Sequence, residues 1–159
     1  MKYLAELKSL PGGIAFSCRT KIQEYQCVGS LWQEIGPEIA GANPGLKCVE
    51  PDYCFTIYHD DKRKHGDIDV ELCQLVVAEG NPTERVKFKK MDSVPEAVCV
   101  KHKGPYETIP EAYQFAYDWV AQNGYVPTQP GRESYIDGPW NKENPEDWLT
   151  EVQIPVMKK

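Results

Sequence analysis

The sequence predicts an α+β fold built from two pseudo-symmetric β-α-β-β repeats, at residues about 1–79 and about 84–157. The first observation behind this prediction is that the order strand, helix, strand, strand occurs twice along the chain. The second is that each helical segment carries apolar side chains at positions i, i+3, i+4 and i+7, the spacing of one buried helix face. Because no linker rich in serine or glycine separates the halves, a single domain over residues 1–159 is predicted.

The first repeat opens with a strand-like segment at residues 3–19, broken by a Pro-Gly-Gly turn at 11–13 that indicates a bulge or kink. The segment TKIQ at residues 20–23 matches a capping box and predicts the start of a helix. Gly36-Pro37 is predicted to interrupt or end this helix. Two strands follow at residues 53–59 and 68–78, joined by the charged hairpin DDKRKHGD. The apolar stripe of the helix consists of Val28, Leu31, Trp32 and Ile35.

The second repeat has the same order of elements. A strand is predicted over residues 86–91 and 97–103, interrupted near Pro95. TIPE at residues 108–111 is a second capping box, and Asn123-Gly124 is a helix stop signal. Two strands follow at residues 132–137 and 148–156, with the loop GPWNKENPE between them. The helix stripe consists of Ile109, Ala112, Tyr113, Ala116 and Val120.

Strand alternation places one glutamate of each half on the sheet face opposite the helix. Val152, Ile154 and Val156 alternate with Glu151 on the last strand, and Glu71 alternates with similar apolar residues in the first half. The ordinary position of such a glutamate is a solvated sheet face. The matching placement in both halves indicates instead a covered or concave face. The predicted architecture is therefore antiparallel sheets that form a concave ligand cleft, with the helices packed on the other face.

Composition and charge exclude several classes of function. The net charge is −6, and both halves are acidic, with 8 basic against 12 acidic residues in 1–80 and 10 against 12 in 81–159. No basic stripe is present, so direct binding of nucleic acid is not expected. The amino-terminal segment has no apolar leader and no stretch long enough to span a membrane, which predicts a cytoplasmic protein.

The cysteines and histidines predict neither disulfides nor a metal site. The six cysteines include no CxxC pair, and three of them lie in strand-like runs, so buried reduced thiols are expected. Cys54 and His59 are five residues apart on one strand and therefore point to opposite faces. His65 and His102 have no partners at ligand spacing, and we predict neither a metal nor a cofactor.

Three segments of the second half carry a family resemblance: VKHKGPYETIPEAYQFAYDWVAQNGY, GRESYIDGPW and EDWLTEVQIPV. With the looser DIDVELCQLVV of the first half, they resemble the GyrI-like family. That family includes the effector-binding domains at the ends of many AraC-type and MerR-type multidrug-responsive regulators. The chain shows no helix-turn-helix segment, so the resemblance is to the stand-alone form, and transcription control by this chain alone is not expected.

The resemblance implies a cleft between the halves, lined with aromatic residues and holding an acid on the last strand. The family acid corresponds to Glu151, and two family tyrosines correspond to Tyr106 and Tyr135. The remaining predicted ligand-binding residues are Trp119, Glu71, Trp32 and Trp140. Trp140 follows Gly-Pro in a loop, where it either caps the cleft or packs on its own hairpin. Such a cleft would bind small lipophilic or cationic molecules, because aromatic faces attract cations and a carboxylate away from water needs compensation.

Two alternative functions remain open at the sequence level. Some members of the family hydrolyse strained cyclopropane-containing toxins, and here Glu151 and Tyr106 would place or activate the water. No nucleophile elbow, phosphate loop or catalytic Cys-His spacing supports an enzyme. The resemblance also allows a protein partner, either DNA gyrase, which the chain would modulate, or a regulator for which it senses a ligand. Binding alone would serve sensing, sequestration or drug and toxin resistance.

Overall fold

A computed structural model describes residues 2–60 and 66–159 of the chain. The hairpin predicted between the two strands of the first half falls partly outside these residues, as does His65. In chain order the described elements are β1 (Ala5–Leu10), β2 (Gly13–Ile22), α1 (Cys27–Ala42), β3 (Cys54–Tyr58), β4 (Ile68–Leu75), β5 (Lys87–Met91), β6 (Val94–Lys103), α2 (Ile109–Gln122), β7 (Tyr125–Pro127), β8 (Arg132–Asp137) and β9 (Leu149–Lys158). A short 3-10 turn, Tyr106–Thr108, precedes α2.

These elements form two compact units, each with an antiparallel sheet and one helix. Unit 1 contains residues 1–11 and 94–159, and unit 2 contains residues 12–93. In unit 1 the strand order is β1-β6-β9-β8, with β7 also paired to β9. In unit 2 the order is β3-β4-β2-β5. The α+β class predicted from the sequence is therefore confirmed.

Each unit includes one strand from the other half of the sequence. β1 pairs with β6, although the sequence assigns it to the first repeat, and β5 pairs with β2, although the sequence assigns it to the second. Each sheet consequently has four principal strands rather than the three predicted per repeat. At the Pro-Gly-Gly turn the chain passes from one unit to the other. A Cβ at Gly12 would lie 2.6 Å from the carbonyl oxygen of Met91, so a glycine is required where the two backbones meet.

The predicted helix faces form the two main cores. In unit 2, Ile68, Val70, Leu72 and Val76 pack against the buried face of α1, and Val152, Ile154 and Val156 pack against α2 in unit 1. Each fully buried side chain of this kind stabilises the fold by about 1.5–3 kcal/mol. The assignment of alternating residues to the helix-facing side is confirmed for both sheets.

Both predicted helix starts differ in detail from the structure. Residues 20–23 do not form a capping box, because β2 continues to Ile22, which pairs with Ile68 on β4. The helix α1 begins later, at Cys27, without a side-chain cap. In unit 1 the helix begins directly after Thr108 as predicted, but the Thr108 hydroxyl donates to the carbonyl of Pro105 instead of capping the helix. The hydrogen bonds of the strand and the turn take precedence over the local capping signals.

Pro37 does not end α1. The helix runs through this residue to Ala42, although a proline in a helix interior removes one backbone hydrogen bond. The buried residues Leu31, Ile35 and Ile39 lie on both sides of Pro37 and hold the helix on the sheet. Tertiary packing thus offsets the cost of the proline.

Candidate functional site

Glu71 and Glu151 are both buried, with 2% and 4% of their surface exposed. Neither therefore lies on a solvated sheet face, which was the ordinary expectation for an acid in an alternating strand. Because a buried carboxylate is costly without compensation, its partners show what each glutamate does.

Glu151 on β9 is compensated by a lysine of its own unit. Lys8 Nζ on β1 donates to Glu151 Oε2 at 2.6 Å, and Gln153 Nε2 donates to Oε1 at 2.8 Å. Burial lowers the pKa of Lys8, but the Glu151 carboxylate more than offsets this and holds that pKa above its usual range. The buried Cys99 thiol lies near this ion pair, and its pKa rises to about 12 because of burial and the negative charge of Glu151.

Glu71 on β4 has three donors within unit 2. Ser17 Oγ donates to Oε2 at 2.6 Å, and His59 Nε2 lies 2.9 Å from Oε1. Lys89 on β5 forms a short ion pair with Oε2. Burial raises the pKa of Glu71, but the hydrogen bonds from His59, Lys89 and Ser17 outweigh it and hold the pKa well below its usual range.

The two ion pairs occupy equivalent positions in the two sheets. Lys8 lies opposite Ala97 on β6, and Lys89 lies opposite Ala15 on β2. Four residues further along β6 and β2, Lys101 and Arg19 lie opposite Glu151 and Glu71. The correspondence of the two glutamates inferred from the sequence thus extends to their lysines. Both pairs use the strand that each unit takes from the other half of the chain.

The structure does not bring Tyr135 to the same face as Glu151. On β8, Ser134 lies opposite Glu151, whereas Tyr135 lies opposite Thr150. Side chains of directly paired residues share a sheet face, and neighbours along a strand alternate. Tyr135 therefore points to the α2 side of the sheet and Glu151 to the other side. Tyr106 contacts Tyr135, so Tyr106 and Glu151 are also not brought together as a catalytic pair.

A third buried glutamate, Glu133, lies on the α2 side of the sheet. It was not predicted from the sequence. It is 7% exposed. Tyr113 on α2 donates its hydroxyl to Oε1 at 3.0 Å, and Tyr135 donates to Oε2 at 2.9 Å. The signal that was available is its i, i+2 spacing from Tyr135 in the segment RESYI, which places both side chains on one face of a strand.

Two further aromatic rings continue from Tyr135, which donates to this carboxylate. Tyr106 makes an edge contact with Tyr135 at 6.1 Å between ring centroids, and it packs on Trp148 at 4.8 Å. These rings and Tyr113 are all partly exposed, in contrast to the buried carboxylate. We call the group formed by Glu133, Tyr106, Tyr113, Tyr135 and Trp148 the Glu133 site.

Gly131 leaves room for the side chains around the Glu133 site. Gly131 precedes β8, and a Cβ there would lie 2.9 Å from Ile154 Cδ1 and 3.0 Å from Tyr117 Oη. The glycine therefore lets tyrosines of α2 approach the strand. Its hypothetical Cβ is also 3.5 Å from the Tyr113 ring, so a larger residue would press on a member of the site.

His102 fixes the turn that carries Tyr106. It is 1% exposed, and its Nδ1 lies 2.8 Å from the Tyr3 hydroxyl. Its Nε2 lies 3.1 Å from the Pro105 carbonyl and 2.9 Å from Thr108 Oγ1. Because a carbonyl only accepts, the contact with Pro105 requires a proton on Nε2. Burial lowers the pKa of His102, although the hydrogen bond to Pro105 opposes this.

The three remaining predicted aromatic residues are not part of the Glu133 site. Trp119 stacks on Tyr125 at the end of α2, with 5.7 Å between ring centroids. Trp32 lies in unit 2, where its Nε1 donates to Thr56 Oγ1 at 3.3 Å. Trp140 is 60% exposed and lies over Gly138, where any side chain would overlap its ring. Trp140 thus packs on its own turn, which is one of the two positions proposed from the sequence.

A separate open depression of about 360 Å³ lies in unit 2, lined by residues 43–47 and 77–81. It contains neither Glu71 nor Trp32. Its lining includes Pro44, Gly45 and Gly80, and the acid in its lining, Glu79, is exposed.

Within residues 2–60 and 66–159, no three His, Cys, Asp or Glu side chains are arranged to hold a metal. All six cysteines are free thiols. No described helix is long and apolar enough to cross a membrane.

Comparison with solved structures shows a close relative. The crystal structure of the EcmrR C-terminal domain matches with a TM-score of 0.94 at 42% identity, covering 100% of both chains. The cryo-EM structure of an EcmrR–DNA complex in EcmrR-RPo matches with a TM-score of 0.96 at 42% identity. This chain is covered completely in that match but spans only 59% of the EcmrR chain.

A more distant structure, that of SAV2435 bound to tetraphenylphosphonium, matches with a TM-score of 0.60 at 16% identity, covering 99% and 94% of the two chains. At this identity the likeness concerns the fold alone. None of the curated proteins matches the chain. The model of the GyrI-like small molecule binding domain matches residues 14–157, which is nearly the whole chain. The chain therefore belongs to the GyrI-like family of small-molecule-binding domains.

Proposed function

We propose that the domain binds lipophilic organic cations at the Glu133 site. The observation that carries this proposal is the buried carboxylate of Glu133, which is bonded by the partly exposed Tyr113 and Tyr135. The partly exposed rings of Tyr106 and Trp148 continue from Tyr135. Family membership supports a small organic ligand, and the chemistry of the site supports a positive charge on it.

The electrostatics of the site favour a cation. The two tyrosine hydroxyls donate hydrogen bonds to Glu133, and such bonds stabilise the charged form of a carboxylate. A ligand cation that approaches the carboxylate is attracted by its negative charge. Each aromatic face it covers adds about 0.5–2 kcal/mol, depending on how far the contact is desolvated. Aromatic faces impose few directional demands, so the site suits flat or bulky cations of varied shape.

Glu133 replaces Glu151 as the acid of the proposed site. Glu151 is bonded to Lys8, and Glu71 is bonded to Lys89. A cationic ligand at either glutamate would have to compete with a lysine that the fold already provides. We therefore assign Glu151 and Glu71 to the stability of the two sheets, and Tyr106 and Tyr135 to ligand binding as predicted.

Tetraphenylphosphonium is a suitable probe, because it is a lipophilic cation and a distant fold neighbour was solved with it bound. Tetraphenylborate has the same shape and the opposite charge, so it serves as the matched control ligand. Isothermal titration of the protein with each ion measures the charge preference directly.

We expect tetraphenylphosphonium to bind at least about tenfold more tightly than tetraphenylborate, a difference of about 1.4 kcal/mol. Tyr106→Ala should weaken the binding of the cation, because it removes a ring from the site. Trp140→Ala should not, because Trp140 lies over its own turn. Equal binding of both ions, or binding of neither, would contradict the proposal.

A further inference from the structure

Thr150 is a buried polar residue whose hydroxyl group has no apparent role in stabilising the fold. It lies on β9, is 0% exposed, and faces the α2 side of the sheet between His102 on β6 and Tyr135 on β8. Within the described residues 2–60 and 66–159, its Oγ1 has no hydrogen-bond partner. Buried hydroxyls in native proteins nearly always have such a partner, so this one calls for an explanation.

The neighbours of Thr150 are occupied with other partners. The Tyr135 hydroxyl proton goes to Glu133, and both ring nitrogens of His102 are bonded to Tyr3 and to the turn before α2. Valine would fill the same volume on this apolar, helix-facing row without leaving a polar group unpaired. A threonine here is consistent with a partner that arrives from outside the chain.

We propose that the ligands of the Glu133 site carry a hydroxyl or a similar hydrogen-bonding group beside their cationic centre, and that Thr150 binds this group. The proposal rests on the proposed function, since it names a second contact in the same site. Thr150 lies directly across from Tyr135, and Trp148 is two residues before it on the chain. The rings of Tyr135 and Trp148 are only partly buried, and the proposal requires them to move aside for a ligand to reach the Thr150 hydroxyl.

The test compares two probes that differ by one hydroxyl group. Tetraphenylphosphonium and (4-hydroxyphenyl)triphenylphosphonium are titrated against the native protein, Thr150→Val and Thr150→Ser. Valine keeps the volume and removes the hydroxyl, whereas serine keeps the hydroxyl and removes a methyl group. Urea unfolding of each variant shows that it is folded.

We expect the native protein and Thr150→Ser to bind the hydroxylated probe about 3- to 10-fold more tightly than tetraphenylphosphonium, the effect of one net hydrogen bond. Thr150→Val should bind the two probes equally. A native preference that persists in Thr150→Val, or no preference in the native protein, overturns the role of Thr150 while leaving the cation site intact. Failure of the native protein to bind either probe overturns the proposed function itself.

Discussion

Replacing Lys8 with methionine is expected to destabilise the protein, because it leaves the Glu151 carboxylate buried without its cation. The Lys8 Nζ to Glu151 Oε2 distance is 2.6 Å, and 5% of the Glu151 side chain is exposed. Breaking a fully buried ion pair by removing one partner costs about 3–5 kcal/mol. The Lys8 side chain is 39% exposed, so solvent screens the pair, and we expect a smaller loss of about 1–3 kcal/mol. A loss of about 2 kcal/mol lowers the folded-to-unfolded ratio about 30-fold.

The partners of this pair should respond unequally to substitution. Glu151→Gln should cost less than Lys8→Met, because the half-exposed lysine turns to water whereas the carboxylate remains buried. The double variant should be more stable than the sum of the single losses implies, since the two residues are in direct contact. Urea unfolding followed by tryptophan fluorescence gives the free energy of unfolding for all four proteins.

A Lys8→Met variant as stable as the native protein would refute this reasoning, since a loss of about 1–3 kcal/mol is expected. So would a glutamine variant that is less stable than the methionine variant. In either case Glu151 would not depend on Lys8, and its assignment to sheet stability would be lost.

Three other predictions concern Glu71, His102 and Gly131. The pKa of Glu71 is held below its ordinary value of 4.5, so its contribution to stability is present above that pH and is lost as the pH falls below it. In urea unfolding, the stability of Glu71→Gln should therefore fall less steeply with acid than that of the native protein. Superimposable profiles of stability against pH would exclude the effect. Burial lowers the pKa of His102 from 6.5, so the stability of the native protein should decrease as the pH falls below that value. His102→Asn should weaken this pH dependence in thermal unfolding and should also reduce the affinity for tetraphenylphosphonium. An unchanged pH profile would argue against a neutral buried imidazole. Gly131→Ala brings a methyl group against Ile154 and the Tyr117 hydroxyl and should cost about 1–3 kcal/mol in chemical unfolding while weakening cation binding; unaltered stability and binding would show that this site relaxes freely.

Much of the fold was accessible from the sequence because periodicity is a local property. The helix-facing rows on β4 and β9, the helix stop at Asn123 and the strand Arg132–Asp137 all follow from spacing within short windows. The exchange of β1 and β5 between the halves was not accessible, because the partner of a strand is set by contacts far along the chain. The same is true of the Lys8–Glu151 pair, whose members are 143 residues apart.

The candidate site shows a sharper limit of sequence reasoning. Alternation along β9 placed Glu151 correctly on the face away from α2, whereas the contact between Tyr106 and Tyr135 emerged only from the structure. The face of Tyr135, however, depends on the register of β8 against β9, which no single strand reveals. The i, i+2 spacing of Glu133 and Tyr135 predicts that they share a face, but only the register shows that this face is the α2 side.

The central claim is that Glu133, and not Glu151, is the acid that binds a cationic ligand. Isothermal titration of tetraphenylphosphonium into Glu133→Gln and Glu151→Gln tests it most directly, since both variants keep the shape of the side chain and remove its charge. We expect Glu133→Gln to lose at least about tenfold in affinity, or about 1.4 kcal/mol, and Glu151→Gln to bind as the native protein does. The opposite pattern, with binding lost in Glu151→Gln and kept in Glu133→Gln, would contradict the account.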